Sequence, residues 1–524
     1  MESASAEQGA SAPSEVMEPA SPWVRWFNRA FSRHTMSMAI LLMIPLIFAP
    51  SVNRARHFIG DSDLWWHLSD ARILISAHHF IRTEPYSFTL VGHPWVNPEW
   101  LAELPLWLSY RFFGLTGIYL VTWLVLGANI LFVYWRGCLK SRHAGAALFA
   151  AGLAFFLMTA NSGPRTIAFA YLAMSAEMAL LEAAERGHKR LVWLLCPLFC
   201  VWINLHGSWL IGFCIFILYL GAGSFSLRIG SFEQTRFTPA ELLRLAQVLV
   251  VSLVMIFLNP YGWRLLWNPI DMMFNQKLNI AFGAEWQPLE IGSPRGMMVF
   301  VSIAIIVLAN CIRSRKWTLF ELALVFFAFY ASFAHTRFTY MTAVLITPII
   351  ACDIARAFYS ESDKKTIPFM NALIVAGAVA VIVFVFPSER ELEGVLAEKF
   401  PLQTIASIQP GWRTLNLDFV GGMMDFESKP TFIDSRFDSF EHSGVLQDFL
   451  SMNALQDPLP LMQKYKIDHV FLNQYAPLTR MLEHTEGWHV LRKEGSGVFA
   501  YELLAHEEAG VSGKSNGSAI AKGN

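Results

Sequence analysis

The chain has 524 residues, of which 54% are hydrophobic and only 15% charged, with a formal net charge of −1. A mean hydropathy of +0.40 is too high for a soluble globular protein, and without a basic excess there is no electrostatic footprint for nucleic acid. What remains is an α-helical polytopic membrane protein with room for a bundle and one modest soluble domain.

Residues 1–35 form the N-terminal segment. Its first 21 residues are rich in Ala, Ser, Glu and Pro, a composition that predicts disorder, and Arg25, Arg29 and Arg33 then make it basic. The apolar run 36–52 follows without a small-residue cleavage site, so it reads as a first span with a cytoplasmic N-terminus. Further apolar segments at 116–135, 144–160, 165–181, 191–205, 208–227, 245–258, 296–312, 318–334, 338–356 and 367–386 predict about eleven transmembrane helices within 36–386. Several fall short of the roughly 20 residues that span a bilayer. With the N-terminus inside, the cytoplasmic loops should be basic. They carry Arg136, Lys140 and Arg142; Arg186, Lys189 and Arg190; Arg228, Arg236 and Arg244; Arg313, Arg315 and Lys316; and Lys364 and Lys365. Counting 99–113 as a span would invert this pattern, so that stretch reads as an amphipathic helix in the outer interface. The six cysteines lie in or beside apolar segments with no CxxC pair, which points to core packing.

This arrangement gathers the ionisable residues at the outer surface and leaves the span centres nearly free of them. Glu177, Glu321 and Asp353 sit toward cytoplasmic ends. Ion-coupled transporters place such groups near the midplane, which weighs against transport.

The first outer loop, 53–115, begins with Gly60-Asp61-Ser62-Asp63-Leu64-Trp65-Trp66-His67-Leu68. Carboxylates beside a span are costly unless hydrated, paired or used in chemistry. Indoles beside them suit the entrance to an outer-face active site, and equally an aromatic belt with helix-capping aspartates. Residues 63–77 read as a helix with Asp63, His67 and Asp70 on one side. An extended run at 83–89 and a turn at 92–95 follow. Asn97 is suited to cap the interfacial helix and Pro98 to its first turn. Residues 387–503 are hydrophilic, with extended runs at 412–419, 431–436, 469–473 and 488–501 and helices near 441–454, 459–464 and 478–483. They predict a small extracytoplasmic α/β domain, followed by a disordered tail at 504–524.

The Asp-x-Asp-Leu-Trp-Trp-His-Leu run, Pro85-Tyr86-Ser87-Phe88-Thr89 and Gly92-His93-Pro94-Trp95-Val96-Asn97-Pro98-Glu99-Trp100-Leu101 resemble bacterial multi-span proteins of the C-type (GT-C) glycosyltransferase superfamily. Residues 416–422 and Phe432-Ile433-Asp434-Ser435-Arg436, with Asp438, are similar to segments of the outer domain of those proteins. The resemblance covers most of 36–503. It implies a GT-C-like bundle in the cell (inner, cytoplasmic) membrane. The implied reaction moves a sugar from a polyprenyl-phosphate donor to a lipid, glycan or protein acceptor on the outer face, among membrane lipids and without nucleic acid. An acidic residue of the first outer loop serves relatives as general base or metal-associated group, and that role falls on Asp61 or Asp63. Asp63 at the helix start is the natural N-cap, which leaves Asp61 freer for chemistry.

Such a transfer passes through an oxocarbenium-like state while the acceptor loses a proton to a carboxylate, with inversion. The departing phosphate needs no acid; fixed cations stabilise it instead. Arg165 and Arg337, beside His335, are the candidate lipid-phosphate ligands, although both could simply snorkel to the interface. Glu99 could orient substrate or stabilise a helix start. His67 could share a metal with Asp63 or hydrogen-bond at the interface. His206 more readily satisfies a helix end, and the outer stretch 259–295, with Lys277, Glu285 and Trp286, reads as a lid. Asp434, Arg436 and Asp438 read as a charged network of the outer domain. No cofactor is legible; a divalent metal is compatible with the superfamily, whose members differ in metal dependence, but no complete ligand set can be read. The alternative is a non-enzymatic membrane protein that binds or transports lipid-linked saccharides. An assembly scaffold would leave the outer cavity closed.

Overall fold

A computed structural model describes residues 21–53, 60–159, 163–359 and 367–507. The fold is mostly helical, with a small sheet at its C-terminal end. Among the described residues, six helices are long and apolar enough to cross a membrane: Pro22–Phe48, Trp100–Ser141, Ile167–Glu185, Pro294–Ile312, Thr336–Phe358 and Pro368–Val385. Four shorter apolar helices, Ala144–Met158, Leu191–Leu205, Trp209–Gly223 and Leu319–Ala334, pack among them. The chain is a membrane protein. Thr339–Phe358 is the central helix: most of its side chains are buried, and it packs on Ala144–Met158 and Trp100–Ser141. A helix apolar on all sides belongs in that position.

Toward the loops expected to be cytoplasmic, buried ion pairs absorb Glu182, Glu321 and Asp353, whereas both carboxyl oxygens of Glu177 are buried with no hydrogen-bond partner. Arg136 pairs with Glu182 at 2.7 Å, Lys140 with Glu321 at 2.6 Å, and Arg315 with Glu321 at 2.6 Å and Asp353 at 2.5 Å.

One segment departs from expectation near the membrane. Residues 22–30, expected within a disordered and basic leader, form the helix Pro22–Ala30, because Ser21 caps Val24 N–H and Pro22 opens the first turn. Residues 1–20 of that leader lie outside the described residues. The interfacial helix and the next span, together Trp100–Ser141, are separated as expected at Gly114, whose backbone is non-helical (φ 61°, ψ −146°). Glu389 holds the bend. Its carboxylate accepts from Leu115 N (2.9 Å), Thr116 N (2.8 Å) and Thr116 Oγ1 (2.7 Å), so it caps the second half of the helix. Before the bend, Leu108, Phe112 and Phe113 are exposed, as a helix lying in an interface requires.

The outer domain carries a four-stranded sheet in the order β3-β4-β6-β5, after a small hairpin, β1 (Leu227–Ile229) and β2 (Phe232–Gln234), within the bundle region. Strands β3 (Thr414–Asn416) and β4 (His469–Asn473) are parallel; β6 (Tyr501–His506) runs antiparallel to β4 and to β5 (Trp488–Glu494). The β5–β6 connection turns at Gly495 and Gly497, both at positive φ. Strand β6 ends at His506, past the expected boundary at 503, because Ala505 and His506 pair with His469 and Trp488. The expected strand 431–436 does not form. Asn416 uses its side chain instead, accepting from Phe432 N and donating to Ile433 O, both at 2.7 Å, so no ladder is left to extend. The last two residues of the run 412–419 enter the helix Asp418–Phe426.

First loop and outer domain form one body. Phe88 N donates to Thr431 O (3.1 Å), Thr89 Oγ1 to Phe432 O (2.7 Å), and Leu90 is buried in the outer-domain core. The helices Ser62–Ala77 and Asp418–Phe426 meet so closely at Gly422 that a Cβ there would lie 2.4 Å from Ser62 O. Only glycine permits that approach.

Candidate active site

The helix Ser62–Ala77 sets the site, and its first turn differs from expectation. Asp61 is the N-cap: Oδ1 accepts from Asp63 N at 3.1 Å. Asp63, expected to be the cap, sits inside the first turn and is the freer carboxylate. The following indoles are not an aromatic belt. Trp65 is 1% exposed and packs edge-on against Tyr110, Phe400 and Phe426; Trp66 packs against Trp95. They seal the loop to the outer domain.

Four elements bring charge to one place. Arg165, just ahead of the helix Ile167–Glu185, reaches Asp61 (Nε to Oδ2, 2.5 Å), Asp63 (Nη2 to Oδ2, 3.7 Å) and Glu285 (Nη1 to Oε2, 2.6 Å). Glu285 uses its other oxygen for Arg337, 3.2 Å from Nη1. Arg337 lies over the Trp286 ring at 4.0 Å, and His335 Nδ1 is 2.5 Å from Trp286 O. The stretch expected as a lid thus supplies the carboxylate that joins the two arginines. It is itself clasped by the outer domain: Glu441 accepts from Leu278 N and Asn279 N, and His442 Nε2 lies 2.6 Å from Asp271.

The group is partly open to solvent. Protein atoms crowd round it, yet the side chains of Arg165, Asp63 and Glu285 stay 28%, 29% and 35% accessible. Burial, reinforced by the Asp61 charge and opposed by Arg165, pushes Asp63 up to about 6. Burial also works against ionisation of Glu285, but Arg337 and Arg165 outweigh it and hold that carboxyl at about 2. Two carboxylates that share Arg165 are therefore set to different tasks, one able to exchange a proton near neutrality and one charged there.

Beside them lies a hydrogen-bonded group built on Glu99. Its carboxyl accepts from Thr166 Oγ1 and faces His67 Nε2 (3.4 Å) and His206 Nε2 (3.2 Å). His67 Nδ1 is 2.8 Å from Glu103, and Asn97 donates to both Glu103 (2.8 Å) and Asp70 (2.9 Å). Burial raises Glu99 to about 8 and lowers His206 to about 3 and His67 well below its ordinary value. Near neutrality this is a set of uncharged groups sharing protons, which suits positioning better than ion binding. Asn97 is not the cap of the following helix, which starts at Trp100; it makes an Asx turn to Glu99 N (2.9 Å) and spends its amide on the two carboxyls.

The outer domain reaches the same region through Arg436. Its guanidinium pairs with Asp434 (2.5 Å) and Glu84 (2.9 Å) and lies over Trp95 at 4.6 Å. Next to it, Ser435 keeps its hydroxyl buried, with no hydrogen-bond partner at that oxygen.

An apolar cavity of about 830 Å³ adjoins the charged group. Phe48, Leu126, Phe155, Phe156, Leu289 and Met298 line it, and so do Ala284 and Thr336, the immediate neighbours of Glu285 and Arg337. Its size falls in the range of ligand sites.

Of the residues singled out from sequence, Asp61, Asp63, Arg165 and Arg337 come together through Glu285. Glu99 and His67 belong to the adjoining proton-sharing group, and His335 supports Trp286. Glu285, Thr166 and Ser435 were not read as site residues. Only the Glu285-Trp286 pair, charged and aromatic in an outer stretch, carried a local signal.

Among solved structures the chain is similar to the oligosaccharyltransferase of Archaeoglobus fulgidus. The crystal structure of its apo form matches with a TM-score of 0.52 at 13% identity, covering 85% of this chain and 70% of that one. The same enzyme tethered by a disulfide to an acceptor peptide containing the NVT sequon matches with a TM-score of 0.52 at 13% identity, covering 85% and 69%. The shared feature is the fold. No protein-family model and no curated protein matches the chain.

Proposed function

We propose that the chain is an inverting glycosyltransferase that moves a sugar from a polyprenyl-phosphate carrier to a lipid, glycan or protein acceptor on the outer face of the cell membrane. The observation that carries this reading is the meeting of Asp63, Arg165, Glu285 and Arg337, with the chain neighbours of the last two, Ala284 and Thr336, lining an apolar cavity. The isoprenoid lies in the cavity, and its phosphate stands at Arg337, which Trp286 and Glu285 orient. Asp63 takes the acceptor proton as the acceptor attacks the anomeric carbon; the C–O bond to phosphate breaks, and the electron pair leaves with the phosphate. Asp61 anchors both the helix N-terminus and Arg165, a positioning role rather than that of base. Arg337 and Arg165 stabilise the charge that grows on the leaving group. The fold of an oligosaccharyltransferase supports the reading, as does the 53–115 loop that carries the carboxylates. In this topology about eleven helices of 36–386 cross the membrane, with residues 1–35 cytoplasmic and 387–503 outside.

Mass spectrometry of lipids that copurify with the protein tests the donor class. A polyprenyl phosphate or phosphosugar is expected, and its loss on Arg337→Gln. Phospholipids alone, unchanged by that substitution, would remove the donor from the reading.

A further inference from the structure

Three carboxylates, on Asp61, Asp63 and Glu285, converge on one partly exposed guanidinium, and converging carboxylates in phosphate-handling sites invite a divalent cation. Here the point they share is filled. The Arg165 guanidinium stands 2.5 Å from Asp61 and 2.6 Å from Glu285, with Asp63 at 3.7 Å, and each contact uses a different nitrogen. A hard cation would need those same oxygens at about 2.0–2.6 Å, and it would also face Arg337 across Glu285. Among the described residues, no group of three or more His, Cys, Asp or Glu side chains is arranged to hold a metal. His67, the nearest imidazole considered as a ligand beside Asp63, is turned to Glu99 and Glu103 instead. The residues present do not fit a metal.

We infer that Arg165 is a built-in substitute for a divalent cation, so that the site works without metal. A guanidinium is charged at every accessible pH and offers five fixed donors, which is what three converging carboxylates require. The backbone holds it in place: Arg165 N donates to Gly163 O (2.8 Å) and Ala168 N to Arg165 O (3.2 Å), so the residue sits in a closed turn before its helix. The substitution has a chemical consequence. A metal could bind the phosphate directly with open coordination positions, whereas a guanidinium saturated by three carboxylates acts through its field and leaves direct phosphate contact to Arg337. The inference rests on the glycosyl-transfer reading only for its kinetic arm.

The test uses the full chain in lipid nanodiscs with Mn²⁺ as the probe, followed by electron paramagnetic resonance. Wild type and Arg165→Lys should leave Mn²⁺ free. Arg165→Met uncovers the carboxylates and should bind Mn²⁺ at least about tenfold more tightly, and adding Asp61→Asn or Glu285→Gln should abolish that gain. Stoichiometric Mn²⁺ on the wild type, lost in Asp61→Asn or Glu285→Gln, overturns the inference; so does an Arg165→Met chain that folds, judged by its thermal transition, yet gains no binding. In the kinetic arm, transfer in excess EDTA should stay within about twofold of the untreated rate, and a loss beyond about tenfold that Mn²⁺ restores counts against it. Absence of transfer under every condition defeats the glycosyl-transfer reading instead, and the Mn²⁺ titration still decides whether Arg165 stands in for a cation.

Discussion

Replacing Arg436 with methionine keeps an unbranched apolar stem and removes the charge that joins the first outer loop to the outer domain. Arg436 is 1% exposed at its side chain, and its partners Asp434 and Glu84 are 0% and 2% exposed. The substitution leaves two carboxylates buried without their cation, beside Asp425, which already feels the Asp434 and Glu84 charges. Removing one member of a buried ion pair costs about 3–5 kcal/mol. Glu84 keeps its bonds from Tyr86 N and Ser87 N, so the lower half of that range is expected. For a unit of this size the loss corresponds to a fall of roughly 10–20 °C in the transition midpoint. Intrinsic fluorescence is a suitable monitor, because Trp66 and Trp95 flank the guanidinium. A triple variant, Arg436→Met with Asp434→Asn and Glu84→Gln, removes the stranded charges and should recover most of the loss. A midpoint within about 2 °C of wild type for the single variant, or no recovery in the triple, would refute the description of this contact as a buried weld.

Three further outcomes follow from other parts of the molecule. Glu99 has its carboxyl raised from 4.5 to about 8 in the folded chain. Its contribution to stability is therefore complete below pH 4.5 and lost as pH rises toward 8, so Glu99→Gln should flatten the fall of the melting midpoint across that window; an unchanged slope contradicts the burial of this group. Glu389→Gln weakens the charged cap on Leu115 and Thr116 by about 1 kcal/mol, and hydrogen exchange at those two amides should accelerate about fivefold while the rest of the bundle is unaffected. Met298→Asp places a charge in the apolar cavity and should raise the KM for a polyprenyl-phosphate donor by at least about tenfold, with kcat within about threefold.

Much of the bundle was legible because a helix surrounded by lipid or by other helices writes an unbroken apolar run, and loop charge orders those runs. The described helices at 144–158, 191–205 and 294–312 lie where hydropathy places them. The outer domain was legible where periodicity was local, as in β4 at His469–Asn473, and illegible where one side chain took over a strand's work, as Asn416 does for Phe432 and Ile433. The site was half legible. Asp61, Asp63, Arg165 and Arg337 stand out as polar residues at span ends, but their roles depend on partners far along the chain. Arg165 finds Glu285 across 120 residues, and Arg436 finds Glu84 across 352. The exchange of roles between the two aspartates has a smaller cause: the helix starts one residue earlier than its hydropathy suggests, which makes Asp61 the cap and frees Asp63.

The most direct measurement is sugar transfer from a polyprenyl-phosphate donor in proteoliposomes, comparing wild type with Asp63→Asn across pH. Wild-type transfer should rise with pH through an apparent pKa near 6, the value at which the Asp63 carboxyl is held. Asp63→Asn should lose roughly 10²–10⁴-fold of the rate together with that ascending limb. Transfer by Asp63→Asn at the wild-type rate and with the wild-type pH profile would contradict the account.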